Sequence, residues 1–392
     1  MLRVFFMKWW LASVKPEAGD VKEPWGNSQA LDQLRFLAAL LVMLHHFRGF
    51  ELIPDGLSGM TRFTYAWLRW GSEGVSLFLV LSAFLFTMNS DIGSKTTEYW
   101  PFIRKRIFRI LPIYLLVGVL LMAQKRAQWS VLDFLTFATF QVNAGHPITG
   151  YGFDVLPIGP IWTIGVEFQF YLLFPLLIAA LPPKGWLNCA RILGIIGVMI
   201  AFRYLMRLWN ADGAIYFNAY HTLLGRFDQF LIGMLAAAFY VKFRARITPL
   251  VGFVAMVGAT TIATMLLYKI KQAAYPGIAF SFTIEAIIAA AVIIGMLAAR
   301  GVPGWIGRRL AELGRASYSI YLLHFPVGTF LFHRFGEING GILEYYWMKV
   351  VILVLIPTIL ISLVTYHCIE KPFMDLGRSG SGKAPPHPLK PS

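Results

Sequence analysis

Arg35 and His46 stand eleven residues apart in the run LDQLRFLAALLVMLHHF. On a helix that separation turns through about 1,100°, about 20° past three whole turns, so both side chains share one face, about 16 Å apart along the axis. His45 is rotated about 80° away from Arg35. An imidazole titrates near neutrality when unperturbed and suits removal of a proton from a hydroxyl. The alternative for His46 is an interfacial histidine that bonds a backbone carbonyl. A second constellation is cationic. FIRKRIFRILPIY holds Arg104, Lys105, Arg106 and Arg109, with Arg106 and Arg109 three apart on a shared face. At a helix N-terminus, where the macrodipole is already positive, these cations suit a phosphorylated ligand. Topology signalling and lipid contact are their other use.

The elements that position these groups follow from composition. Of 392 residues, 57% are hydrophobic, 15% aromatic and only 14% charged. Soluble domains carry about 25% charge, so the solvent of this chain is largely lipid. The expected fold is all-α, a polytopic integral membrane protein of about ten transmembrane helices. The spans run near residues 31–50, 71–89, 107–123, 160–181, 191–208, 222–241, 250–268, 279–299, 315–333 and 346–368. An even number places both termini on one side. With the N-terminus inside, most of the 35 Lys and Arg fall on cytoplasmic segments, so the positive-inside rule predicts two cytoplasmic termini. The net charge of +15 then reflects topology and anionic headgroups, and nucleic-acid binding is not expected.

Residues 1–30 are expected to form a cytoplasmic, interfacial N-terminal segment, 31–373 the single membrane domain, and 374–392 a disordered cytoplasmic tail rich in Gly, Ser and Pro. The first stretch lacks the A-x-A-like site of a signal peptide. Cys189 and Cys368 fall near cytoplasmic helix ends and supply no disulfide or metal framework; no metal site is expected.

Depth along the spans adds a belt near the outer surface. It comprises Glu167 and Gln169 in the fourth span, Arg226 and Asp228 in the sixth, and Glu285 in the eighth, all level with His46. Its members either bind substrate or pair internally, Arg226 with Asp228 or with Glu285.

Seven blocks, LDQLRFLAALLVMLHHF, GVSLFLVLSAFLFT, FIRKRIFRILPIY, IWTIGVEFQFYLLFPLL, GRFDQFLIGML, LGRASYSIYLLHFPV and HCIEKPF, occur in this order between about residues 31 and 373. The chain thereby resembles the acyltransferase-3 family of bacterial membrane O-acyltransferases. The resemblance implies transfer of an acyl group, commonly acetyl from cytoplasmic acetyl-CoA, to a hydroxyl of an extracytoplasmic or lipid-linked glycan, as in exopolysaccharide or O-antigen modification. It implies a bacterial inner-membrane location, acyl-CoA as donor substrate with no bound cofactor, and glycan-assembly proteins as further partners. The family's arginine, ten residues and histidine fall on Arg35 and His46, its paired arginines on Arg106 and Arg109, and its fourth-span glutamate on Glu167. His46, Arg35 and Glu167 are thus the expected catalytic residues, with Glu167 orienting His46 or binding sugar. Arg104, Arg106, Arg109, Arg226, Asp228 and Tyr171 are the expected substrate-binding residues. Tyr318, Tyr321 and His324 match the ninth-span block, where packing explains them as well as function does. Where relatives often carry carboxylates, this chain has Ser76 and Phe168. A transporter of acyl groups or glycan intermediates is the competing class, because membrane-embedded charges also mark permeation paths; the two halves of the chain show no duplicated pattern.

Overall fold

The computed structural model describes residues 28–47, 70–124, 130–143, 160–209, 220–272, 278–335 and 348–379; the expected N-terminal anchor and the tail beyond 379 lie outside them. The described residues are helical and hold no strand. In chain order the helices are α1 (Ser28–His46), α2 (Glu73–Asn89), α3 (Tyr99–Gln124), α4 (Val131–Ala138), α5 (Trp162–Ala180), α6 (Gly185–Trp209) and α7 (Leu223–Phe243). They continue with α8 (Pro249–Gln272), α9 (Ile278–Ala298), α10 (Gly304–Arg315), α11 (Ser317–Phe335), α12 (Ile356–Thr365) and α13 (Lys371–Ser379). Two π-helical turns, Val350–Leu355 and Tyr366–Glu370, flank α12.

Among the described residues, helix occupies the body of each of the ten apolar segments, and five helical segments are long and apolar enough to cross a membrane: Trp162–Ala180, Gly185–Met206, Leu223–Phe243, Ala279–Ala298 and Val350–Ser379. Their outward faces carry large apolar side chains, such as Leu193, Val198 and Leu205 on α6 and Ile356, Leu360 and Val364 on α12. Arg226, Asp228, Gln229 and Glu370 are buried inside. Apolar outside and polar inside is the arrangement lipid demands.

Two boundaries differ from expectation. α3 begins at Tyr99, so the cationic run lies in its second and third turns rather than at its N-terminus. Arg and Lys are good helix formers, and the helix extends through them. The macrodipole, which fades within the first turn, therefore adds little to this cluster. At the other end α13 runs to Ser379, six residues into the stretch read as disordered. It packs on α3, where Gly377 abuts Phe108.

α2 lies at the centre, packed on α1, α7 and α9. Gly74 lets α1 approach, since any Cβ there would collide with the Ala38 carbonyl. α10 is a strongly amphipathic helix laid along α1, and Gly314 brings its backbone against the Asp32 carbonyl. Gln33 stitches the same junction, accepting from Val302 N at 2.8 Å and donating to the carbonyls of Val302 and Gly307 at 3.0 and 2.9 Å. The packing gathers polar side chains at two ends. The end of α1, the starts of α2, α5, α7 and α9 and the end of α6 meet at one. The end of α2, the first turns of α3, the start of α11 and α13 meet at the other.

Candidate active site

A cavity of about 420 Å³ opens between α1, α2, α3, α5, α11 and the closing π turn. Its lining contains six cations, Arg35, Lys105, Arg106, Arg109, Arg315 and Arg378, against two carboxylates, Asp32 and Glu167. Such an excess makes it a receptor for anions. Arg106 is seated on aromatic faces, 4.1 Å from the Phe86 ring centroid, 5.0 Å from Phe102 and 5.9 Å from Tyr171. Its buried Nε has no hydrogen-bond partner among the described residues, a donor to which a ligand acceptor could bond.

Helical arithmetic decides which cations enter. Lys105 and Arg109 are one turn apart, and Arg106 and Arg109 nearly so, hence all three line the cavity. Arg104 is about 160° away from Arg106 and turns outward, exposed, its guanidinium 5.5 Å over the Phe108 ring. It does not join the site. Lys105, with Arg315 and Arg378 from elements distant in sequence, completes the cation set instead.

Arg35 enters the cavity and pairs with Asp32, one turn earlier on α1. Glu167 enters from α5, where Ser82 Oγ donates to it at 2.8 Å; Tyr171, Arg106 and Arg109 are its other polar neighbours. Glu167 therefore belongs to the cationic compartment and is not bonded to His46, contrary to the orienting role expected of it. Tyr171 lines the same compartment, as expected. Glu370, on the π turn, is fully buried beneath it, accepting from Ser319 Oγ at 2.7 Å. π turns recur at functional sites because they displace a backbone segment and re-aim its side chains.

Toward the start of α5 the cavity is lined by Phe78, Thr163 and Tyr321. The Phe78 and Tyr321 rings meet edge to face at 5.6 Å, and Tyr321 Oη accepts from Thr163 Oγ1 at 2.8 Å while donating to Pro160 O at 3.0 Å. His46 does not line the cavity. It stands about one turn beyond Tyr321, its Nδ1 lying 3.1 Å from Nε2 of His324 and 2.9 Å from Val42 O. His324 is fully buried, with Nδ1 2.5 Å from Tyr321 O. A short polar chain thus joins the cavity's end to the exposed imidazole of His46.

Arg226 and Asp228 are 1% and 0% exposed and lie away from the cavity. They are about 200° apart on α7, so they cannot pair with each other. Arg226 pairs instead with Glu285 at 3.4 Å. Asp228 pairs with Arg203 of α6 at 2.7 Å and accepts from Thr283 Oγ1. Ser76 donates to Glu285 at 2.7 Å and accepts from Gln229 at 2.9 Å. The expected substrate-binding pair is thus internal packing of α2, α6, α7 and α9. Gln169 of the same expected belt exchanges amide bonds with Asn143.

The family model described as an acyltransferase domain, that of the acyltransferase-3 family, matches residues 28–367. The chain is 24% identical over 377 residues to "O-acetyltransferase OatA" of Staphylococcus aureus, covering 88% of this chain and 57% of that protein. It is 27% identical over 344 residues to "Acyltransferase MdmB" of Streptomyces mycarofaciens, covering 81% of this chain and 82% of the other. No solved structure matches. With the matched region running from the first turn of α1 into the π turn Tyr366–Glu370, the chain belongs to the acyltransferase-3 family.

Proposed function

We propose that this protein is a membrane O-acyltransferase that moves an acyl group, acetyl in the simplest case, from cytoplasmic acyl-CoA to a hydroxyl of an extracytoplasmic or lipid-linked glycan. In this reading the ten helical segments span a bacterial inner membrane with both termini inside. The cavity's cationic end then faces the cytoplasm, and His46 faces the acceptor side. The observation that carries the reading is the cavity itself: six cations at one end, and at the other an aromatic and hydroxyl cap bonded through to His46.

The donor's phosphates sit among Lys105, Arg106, Arg109, Arg315 and Arg378, where charge-assisted hydrogen bonds are strongest. Arg35 and Tyr171 hold the donor further in, and Glu167 keeps the facing arginines oriented. The pantetheine arm extends toward Tyr321. His46 takes the proton of the acceptor hydroxyl, the oxygen forms its bond to the thioester carbonyl carbon, the C–S bond breaks, CoA leaves as thiolate that takes a proton from water, and His46 returns its proton to the hydroxide so formed by way of the solvent. Phe78 and Tyr321 must part for the thioester to meet the acceptor. A transporter has the weaker claim, since an anion-binding cavity without a dyad at its end would serve it equally.

Full-length protein in native membranes tests the reading. Acetyl-CoA should lose its thioester only when acceptor glycan is present, and surface glycan should gain acetyl mass. His46→Ala should abolish both while the protein stays in the membrane. Intact thioester with wild-type protein, or unchanged turnover in His46→Ala, overturns it.

A further inference from the structure

We infer that His324 is a positioning residue that fixes the tautomer and orientation of His46. The hydrogen bonds leave one assignment for two neutral rings. A backbone carbonyl only accepts, so His324 Nδ1, 2.5 Å from Tyr321 O, carries its proton. His324 Nε2 then holds the lone pair and accepts. Its partner is His46 Nδ1 at 3.1 Å, which must be the donor, and which also faces Val42 O at 2.9 Å, an acceptor again. The His46 proton is therefore shared between two acceptors on Nδ1, and the basic lone pair of that ring is on Nε2. Loss of His324 would remove the acceptor that draws the His46 proton to Nδ1 and holds the ring toward α11.

The surroundings of His324 hold its ring in place. The ring is completely buried, with Phe325 packed 5.8 Å from His46 and Tyr321 5.8 Å from His324. Tyr321 links this pair to the cavity cap, since its carbonyl holds His324 and its hydroxyl holds Thr163 and Pro160. One residue thus couples the closure of the donor cavity to the orientation of the base.

The proposal rests on His46 being the base, and the test separates the two. Acetyl-CoA turnover is measured in native membranes for His46→Ala, His324→Gln and His324→Asn, with each variant's membrane level and acetyl-CoA KM recorded. The Gln amide extends to the position of the imidazole Nε2 and can accept from His46; the shorter Asn amide reaches only toward Tyr321 O. His324→Asn should lower kcat about tenfold to a hundredfold at unchanged KM, the scale of lost outer-shell orientation, and His324→Gln should recover most of it. Equal activity of the Gln and Asn variants, or a change confined to KM, overturns the positioning role. Activity in His46→Ala overturns the base assignment beneath it, whereas an inactive His46→Ala with a flat His324 pair removes only the inference. Where His324→Gln is missing from the membrane, His324→Glu, an acceptor of the same length, replaces it, and turnover no higher than in His324→Asn counts against the proposal; where His324→Asn is missing, His324→Ala replaces it, and turnover as high as in His324→Gln counts against it.

Discussion

At the residue scale the account turns on which cations face the cavity. Arg106 and Arg104 differ by two positions, yet one sits on Phe86 inside and the other lies outward over Phe108. Arg106→Ala should weaken acetyl-CoA binding about tenfold to a hundredfold, the weight of one or two charge-assisted hydrogen bonds, and Arg104→Ala should leave it within twofold. A CoA titration by calorimetry decides; equal losses for the two variants would show that the cluster acts only as diffuse charge. The RKRIFR spacing made part of this legible, because a shared face at three residues needs only helical geometry. Lys105 shares the face of Arg109, whereas Arg315 and Arg378 entered the site by tertiary approach, which spacing within one segment does not encode. His324 was visible as a member of YLLHFP but not as the partner of His46, since the two are 278 residues apart.

At the element scale, α1 is held to α10 by polar and steric contacts rather than by apolar area alone. Gln33→Leu would strand the Val302 N–H and release two carbonyls, costing about 1–3 kcal/mol. Gly314→Val would drive a side chain into the Asp32 carbonyl and displace the Asp32 and Arg35 pair with it. Both should lower the thermal midpoint in detergent, and Gly314→Val should also raise the acetyl-CoA KM; an unchanged midpoint would mean the junction carries no strain. The pair of Arg203 and Asp228 invites a sharper contrast. Asp228→Asn removes one charge and leaves a buried guanidinium uncompensated, a loss of about 3–5 kcal/mol, while Arg203→Met with Asp228→Leu should be far milder. If the double variant is as unstable as the single, the network does more than pack helices. Helix existence was readable from apolar runs, whereas α3 starting at Tyr99 and α13 reaching Ser379 were not, because basic amphipathic turns read as loops in a hydropathy scan.

For the whole molecule, the sequence carried the helical class and the family blocks, and the structure redistributed the ionisable residues between a cavity and a scaffold. A belt inferred from depth alone placed Glu167, Arg226 and Asp228 together. Depth does not specify azimuth, and the three face different neighbours. The orientation proposed above makes its own forecast. Reporter fusions at Ser392 should be active as cytoplasmic fusions, and an impermeant thiol reagent applied to intact cells should miss a cysteine placed at Lys105; labelling from outside would invert the topology. The central claim is that a cationic donor cavity serves His46 at its far end. The most direct measurement is single-turnover acetyl transfer from labelled acetyl-CoA to membrane glycan by wild type and His46→Ala, with CoA binding followed in the same preparations. The account predicts equal donor binding and no labelled glycan from the variant. Labelled glycan at the wild-type rate from His46→Ala would contradict it.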